Sequence, residues 1–212
     1  MKAKQIGKII TDILMTAVLL LLMAYSLVGE TAHEWLGVGM FALVILHHVL
    51  NSRWSRNVTK GRYTPFRIVQ TMLVVLALVC MLGSMVSGTM ISRHAFAFLQ
   101  ISAGQSLART AHLLSAYWGF VVISLHLGLH WNMVISRLSP TLRRVLLFPA
   151  VLIAGYGAFA FFKREIGSYL LLQNQFVFFD FGEPLIFFLL DYLAVMGLFV
   201  FLGHFLGKIL KR

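Results

Sequence analysis

Two pairs of histidines, each fourteen residues apart, are the side chains of this sequence best placed to do chemistry: His33 with His47, and His112 with His126. Both pairs sit in strongly apolar stretches. Fourteen residues of α-helix turn through about 1400°, about 40° short of four full turns, and rise about 21 Å. Each pair therefore shares one helix face, with a member near each side of a hydrocarbon core about 30 Å thick. Ionisable residues at that depth are costly and mark function. A neutral imidazole is a good axial ligand for iron. Two helices that each present two stacked histidines are expected to hold two haems, one above the other. Ligation by two histidines saturates the iron and favours electron transfer over oxygen binding. For any single histidine the plain alternative is an interhelical hydrogen bond.

The elements that must carry these residues follow from composition. Of the 212 residues, 59% are hydrophobic and 12% charged. A soluble domain carries about 25% charged residues. The apolar residues fall in six blocks, about 9–29, 33–51, 68–90, 110–131, 145–162 and 185–207. Each is near the roughly 20 residues of a spanning helix, and helices are the default in lipid. The first block is longer than a signal-peptide core and lacks a clear small-residue cleavage site, so it is expected to be retained. The expected fold is an all-α integral membrane six-helix bundle, one domain over 1–212, with the two haems between helices two and four.

The net charge of +11 is explained by topology, so no nucleic-acid partner is expected. Fourteen basic residues fall on one side: Lys2, Lys4 and Lys8, then Arg53, Arg56, Lys60, Arg62 and Arg67, then Arg137, Arg143 and Arg144, then Lys208, Lys211 and Arg212. The other side holds four, Arg93, Arg109, Lys163 and Arg164. The positive-inside rule then puts both termini in the cytoplasm. Helices two and four run the same way, which pairs His33 with His112 on the outer side and His47 with His126 on the inner side.

The remaining candidates are read with their alternatives open. His48 adjoins His47, and His130 follows His126 by one turn, so either is a rival inner ligand. His130 also suits a haem propionate or a quinone. Gly119 lies midway between His112 and His126, where it would let a flat macrocycle approach; helix packing is its alternative. Gly37 and Gly39 flank the matching midpoint of helix two. Arg93 and Arg109 suit haem propionates or lipid phosphates. Glu34 either orients His33 or faces water. His94 is expected to be solvated and His204 structural. Asp191, inside the sixth helix, is the acid expected to have a buried partner. The outer segment 163–184, rich in aromatics, is expected to lie in the interface or to cap the bundle. Cys80 is the only cysteine, which excludes an internal disulfide and the C-x-x-C-H attachment of haem, so both haems would be non-covalent b-type.

The stretches AHEWLG, LHHVLNSRW, SGTMISRHAFAFL and ARTAHLLSAYWGFVVISLHLGLHW resemble the bacterial flavinylation-associated cytochrome family. The resemblance runs over about 31–204 and is densest in helices two and four, with HLGLHW its most specific piece. It implies a b-type cytochrome of the bacterial cytoplasmic membrane, working beside an extracytoplasmic protein that carries covalent flavin mononucleotide. It also implies haem roles for His33, His47, His112 and His126. The ligation pattern is similar to that of respiratory cytochrome b and the cytochrome subunits of hydrogenases and formate dehydrogenases. With no G-x-G-x-x-G fingerprint in the chain, nicotinamide or flavin chemistry would need a partner. The expected function is transmembrane electron transfer between a quinone or cytoplasmic-side donor and an outer flavoprotein or other redox subunit. The competing expectation is a divalent metal-ion transporter built on histidines. Such a site usually includes carboxylates, and the spans hold few, Asp12 and Asp191.

Overall fold

A computed structural model describes residues 3–211. Among the described residues there are helices and no strand. Six helices are long and apolar enough to cross a membrane: α1 (Ala3–Met23), α2 (Glu30–Leu50), α3 (Pro65–Ile91), α4 (Gln105–His130), α5 (Pro140–Lys163) and α6 (Leu185–Ile209). The chain is a multi-pass membrane protein. Its α5 face shows why lipid is the solvent: Val145, Phe148 and Phe159 are all more than 60% exposed. Among the six, α2 and α4 are the least apolar, because they carry the histidines.

The boundaries differ from the apolar blocks for local reasons. The first block was expected to run to residue 29, but α1 stops at Met23. A single turn, Tyr25–Val28, and Gly29 at φ +88° then redirect the chain, a backbone angle that glycine adopts without strain. Helices α3 and α5 begin before their apolar runs, at Pro65 and Pro140. In each, proline at the first helical position follows a capping side chain. Thr64 Oγ1 accepts from the Arg67 amide at 3.3 Å, and Ser139 Oγ from the Leu142 amide at 3.2 Å.

Packing is uneven, and that positions the site. Helix α4 is the hub, packed closely on α3 and on α6, while α6 packs in turn on α5. Helices α1 and α2 form a separate hairpin that touches α3 and α6 only sparsely. Small residues make the close crossings, as expected where lipid supplies no hydrophobic force between helices. A Cβ on Gly128 would strike the Val200 carbonyl, and one on Gly203 the Leu125 carbonyl. Gly157 meets the Ala194 backbone in the same way. Phe120, Val195 and Ala160 are wholly buried along these contacts.

Asp191 is 1% exposed and has charged partners, although a buried one was expected and Tyr156 and Lys163 are themselves exposed. It accepts from the Tyr156 hydroxyl, from Lys163 Nζ at 2.8 Å and from Arg164 Nε at 2.8 Å. Arg164 also grips Glu183 with both terminal nitrogens, and this pairing raises the Arg164 pKa. The cluster ties the end of α5 to the start of α6. The segment after it caps the bundle: Val177 and Phe179 pack on the core, while Phe176, Phe178 and Phe181 point outward and are more than 70% exposed.

A bulky side chain at the crossing of α4 and α6 should therefore be expensive. Gly128→Leu or Gly203→Leu is expected to cost about 1–3 kcal/mol, read as a lower Tm in detergent. Gly155→Ala, where a Cβ meets nothing within 4 Å, should leave Tm unchanged.

Candidate functional site

The hairpin of α1 and α2 stands off from α4, and a cavity of about 710 Å³ fills one end of the gap. That size lies in the range of about 300–1,000 Å³ typical of ligand and cofactor sites. His33, Glu34 and Gly37 line it from α2, Ser84 and Gly88 from α3, and Arg109 and His112 from α4. Arg93, from the loop after α3, also lines it, as do Val177 and Phe179 from the outer segment. A Cβ on Gly37 would meet nothing within 4 Å, so this glycine keeps the α2 wall flat.

The two histidines of this cavity face one another. Their ring centroids are 6.0 Å apart with the planes at 70°, so the starts of α2 and α4 lie at the same end of the bundle. A metal bonded to one nitrogen of each imidazole at about 2 Å puts the ring centres about 6 Å apart. His112 is aimed by α3. Its Nδ1–H donates to the Ser84 carbonyl at 3.0 Å and lies 3.2 Å from Ser87 Oγ. That fixes the tautomer and leaves Nε2 as a lone-pair donor, the usual arrangement of a metal-ligating histidine. Gly88 makes room for the ring, since a Cβ there would come within 3.2 Å of His112 Cε1. His33 meets Tyr25 edge-on at 5.0 Å. Its Nδ1 is buried with no partner in hydrogen-bonding geometry.

The other end of the gap is organised differently. His47 Nδ1–H donates to Asp12 Oδ1 of α1 at 2.8 Å, and its Nε2 accepts from the Asn51 side-chain amide at 3.5 Å. Asn51 braces the pair, donating to the His47 carbonyl at 2.9 Å and accepting from Lys8 Nζ at 2.6 Å. His126 Nδ1 is buried and unpartnered. Its ring is 4.8 Å from that of His130, and His47 and Asp12 lie within charge-interaction range of it. No ring contact joins His47 to His126 as one joins His33 to His112. The rivals have partners of their own. His130 Nε2 accepts from the Gln70 amide of α3 at 3.2 Å. His48 Nδ1–H donates to the Val44 carbonyl of its own helix at 2.9 Å, and its ring lines a cleft between α2 and α3.

The other candidates take these places, Gly119 in the packing role that was its alternative. Gly119 does not open on the gap; a Cβ there would sit 3.3 Å from Cys80 Cβ, so its task is close approach of α4 to α3. Glu34 neither orients His33 nor faces water. Its carboxylate accepts from Ser92 Oγ at 2.6 Å and from the amides of Arg93, His94 and Ala95 at 2.8, 3.0 and 2.7 Å. It pins the loop after α3 to α2 at the cavity mouth and so holds Arg93 in place. The signal was an acid beside a candidate ligand, but its target lies 58 to 61 residues away. Asp12 and Gln70, partners of His47 and His130, also escaped notice as site residues. His94 is exposed, and His204 is buried with Nδ1 unpartnered.

No known protein family, curated protein or solved structure matches this chain.

Removing the Glu34 carboxylate should free the loop. Glu34→Ala is expected to cost about 1–3 kcal/mol, the price of stranding several donors. Hydrogen exchange should quicken at residues 93–95 and stay unchanged in α6.

Proposed function

We propose that this chain is a di-haem b-type cytochrome that carries electrons across the bacterial cytoplasmic membrane. The observation that carries the reading is the facing pair, His33 and His112, in a cavity that also presents Arg93 and Arg109. The residues present fit the group. Two imidazoles are set about one metal ion apart, one of them with its tautomer fixed by a carbonyl. His33 Nδ1 is buried with the Leu22 carbonyl beside it, a disposition that would leave Nε2 for a metal. The guanidinium groups are suited to carboxylates such as propionates. His47 and His126 would hold the second haem, with Asp12 orienting His47.

Bound haem supplies one-electron chemistry whose potential depends on its axial ligands and their surroundings. The chain's own residues do the rest. Ser84 and Asp12 orient ligand rings, Glu34 holds the loop that bears Arg93, and Val177 and Phe179 shield the cavity from water. Both termini would be cytoplasmic, so the His33 cavity would lie on the outer side. There it would meet an extracytoplasmic protein bearing flavin mononucleotide or another redox subunit. A quinone or a cytoplasmic-side donor would serve the His47 side. The resemblance to flavinylation-associated cytochromes supports this assignment of partners.

One observation favours the second reading, a divalent metal-ion transporter. Ligand atoms of Glu30, Glu34 and His94 lie within 4.8 Å of one another at the cavity mouth. Glu34 is already bonded four times over, and Glu30 lies 3.6 Å from Arg93 Nε, which leaves little for a passing cation.

Purified protein is expected to be coloured, with a reducible b-type spectrum and two haems per chain. His33→Ala and His112→Ala should each lose the same haem, and His47→Ala and His126→Ala the other, read as pyridine haemochrome per chain. A colourless, folded preparation that binds zinc would sink the electron-transfer reading.

A further inference from the structure

The segment between α5 and α6 does not stand clear of the bundle. Glu165, at φ +50°, turns the chain after α5, and the short helix Ile166–Leu170 then packs against α4. Two contacts fix its depth. The Tyr169 ring stacks on Tyr117 of α4 at 4.6 Å, and the Leu170 carbonyl accepts from Trp118 Nε1 at 3.0 Å. Trp118 lies halfway along α4, about 20 Å from its start. Its side chain leans back toward that start, which still leaves Leu170 inside the span. Helix α6 gives the same depth. The Tyr117 hydroxyl lies 3.3 Å from that of Tyr192, and Tyr192 is about 10 Å past the first residue of α6.

Irregular backbone at that depth finds no water and must bond to the protein. The chain meets this constraint with side chains and with its own turns. Trp118 serves the Leu170 carbonyl, and the Tyr169 hydroxyl accepts from the Phe178 amide at 3.3 Å. The Leu172 and Gln173 amides donate to the Tyr169 and Ser168 carbonyls. No charged residue occurs from Ile166 to Phe179; the acids Glu165 and Asp180 stand at the two ends. Leu171, Phe178 and Phe181 point away from the protein and are exposed. Arg164 grips Glu183, which brings Phe181 near the level of Phe162, an exposed residue in the last turn of α5. The segment therefore continues the lipid-facing surface of α5. A protein partner would leave these rings in water whenever it was absent, whereas a bilayer covers them in every copy.

We propose that residues 166–181 form a re-entrant segment that folds into the leaflet at the His33 end, hung on Trp118 and presenting Leu171, Phe178 and Phe181 to lipid. The proposal stands independently of the electron-transfer reading.

The test is carbene labelling of the unmodified full chain in phosphatidylcholine vesicles, with part of the lipid carrying a diazirine on its acyl chain. Peptides covering 166–181 are expected to take label at a level comparable to 145–162 of α5, and peptides covering 52–64, a loop at the other end, to take none. Label on 145–162 without label on 166–181 overturns the proposal and leaves the phenylalanine face to a protein partner. Trp118→Phe keeps an aromatic ring and removes the donor. It should lose most of the label at 166–181 and quicken hydrogen exchange at 170–178, with labelling of 145–162 unchanged as the sign of an intact bundle. Label and exchange both unchanged in that variant remove Trp118 as the anchor and overturn the proposal.

Discussion

An imidazole brings one donor and one acceptor into a solvent that offers neither, and the architecture is arranged around that cost. Each histidine of α2 and α4 is treated differently. His112 spends its N–H on the Ser84 carbonyl, His47 on the Asp12 carboxylate and His48 on the Val44 carbonyl, while His130 accepts from Gln70. Three different helices supply those partners. What is left over is informative. Of the four buried side-chain atoms without partners, three are histidine Nδ1 atoms, of His33, His126 and His204. Buried polar atoms are nearly always bonded, and two of these exceptions, His33 and His126, belong to the fourteen-residue pairs while His204 lies apart on α6.

Room for that ligand comes from a packing asymmetry. Helices α3, α4, α5 and α6 cross on glycines whose backbones nearly touch neighbouring carbonyls, and this block is dense. The hairpin of α1 and α2 is held at its ends. Glu34 binds the loop after α3 at one end. At the other, Lys8 and Asp12 of α1 bind Asn51 and His47 of α2. Between those ends the α2 backbone keeps its distance from α4, and Met40 and Val44 are buried in the core that holds Phe120 and Val121. A bundle packed evenly on all sides would leave no volume between its histidines.

The same arrangement gives the two ends distinct character. The His33 end has a cavity with two arginines and a carbonyl-aimed His112. The His47 end has a carboxylate-aimed ring, a second histidine turned into the cleft against α3, and a third held by an amide. Ligand rings backed by a carbonyl and by a carboxylate differ in basicity. The two candidate centres are therefore chemically unequal although their sequence spacing is identical.

The number of spans, their approximate positions and the histidine faces were legible in the residues, because length and apolarity dictate spanning helices. Helix starts at Pro65 and Pro140 were legible too, in Thr-Pro and Ser-Pro pairs that the apolar runs obscured. The pairing of His33 with His112 followed from charge topology, and the facing rings agree with it. Spacing could not say which way a side chain turns at a helix crossing. Gly119 has the right register yet serves α3, since a residue on the edge of a helix face can belong to either neighbour. Glu34 and Asp12 take their roles from backbone and rings distant in sequence. Sequence by itself determined which stretches are long and apolar enough to cross a membrane, because hydrocarbon thickness and helical rise are universal. Only the tertiary structure decided which nitrogens are spent and which stay free, because that depends on donors and acceptors brought together from separate helices.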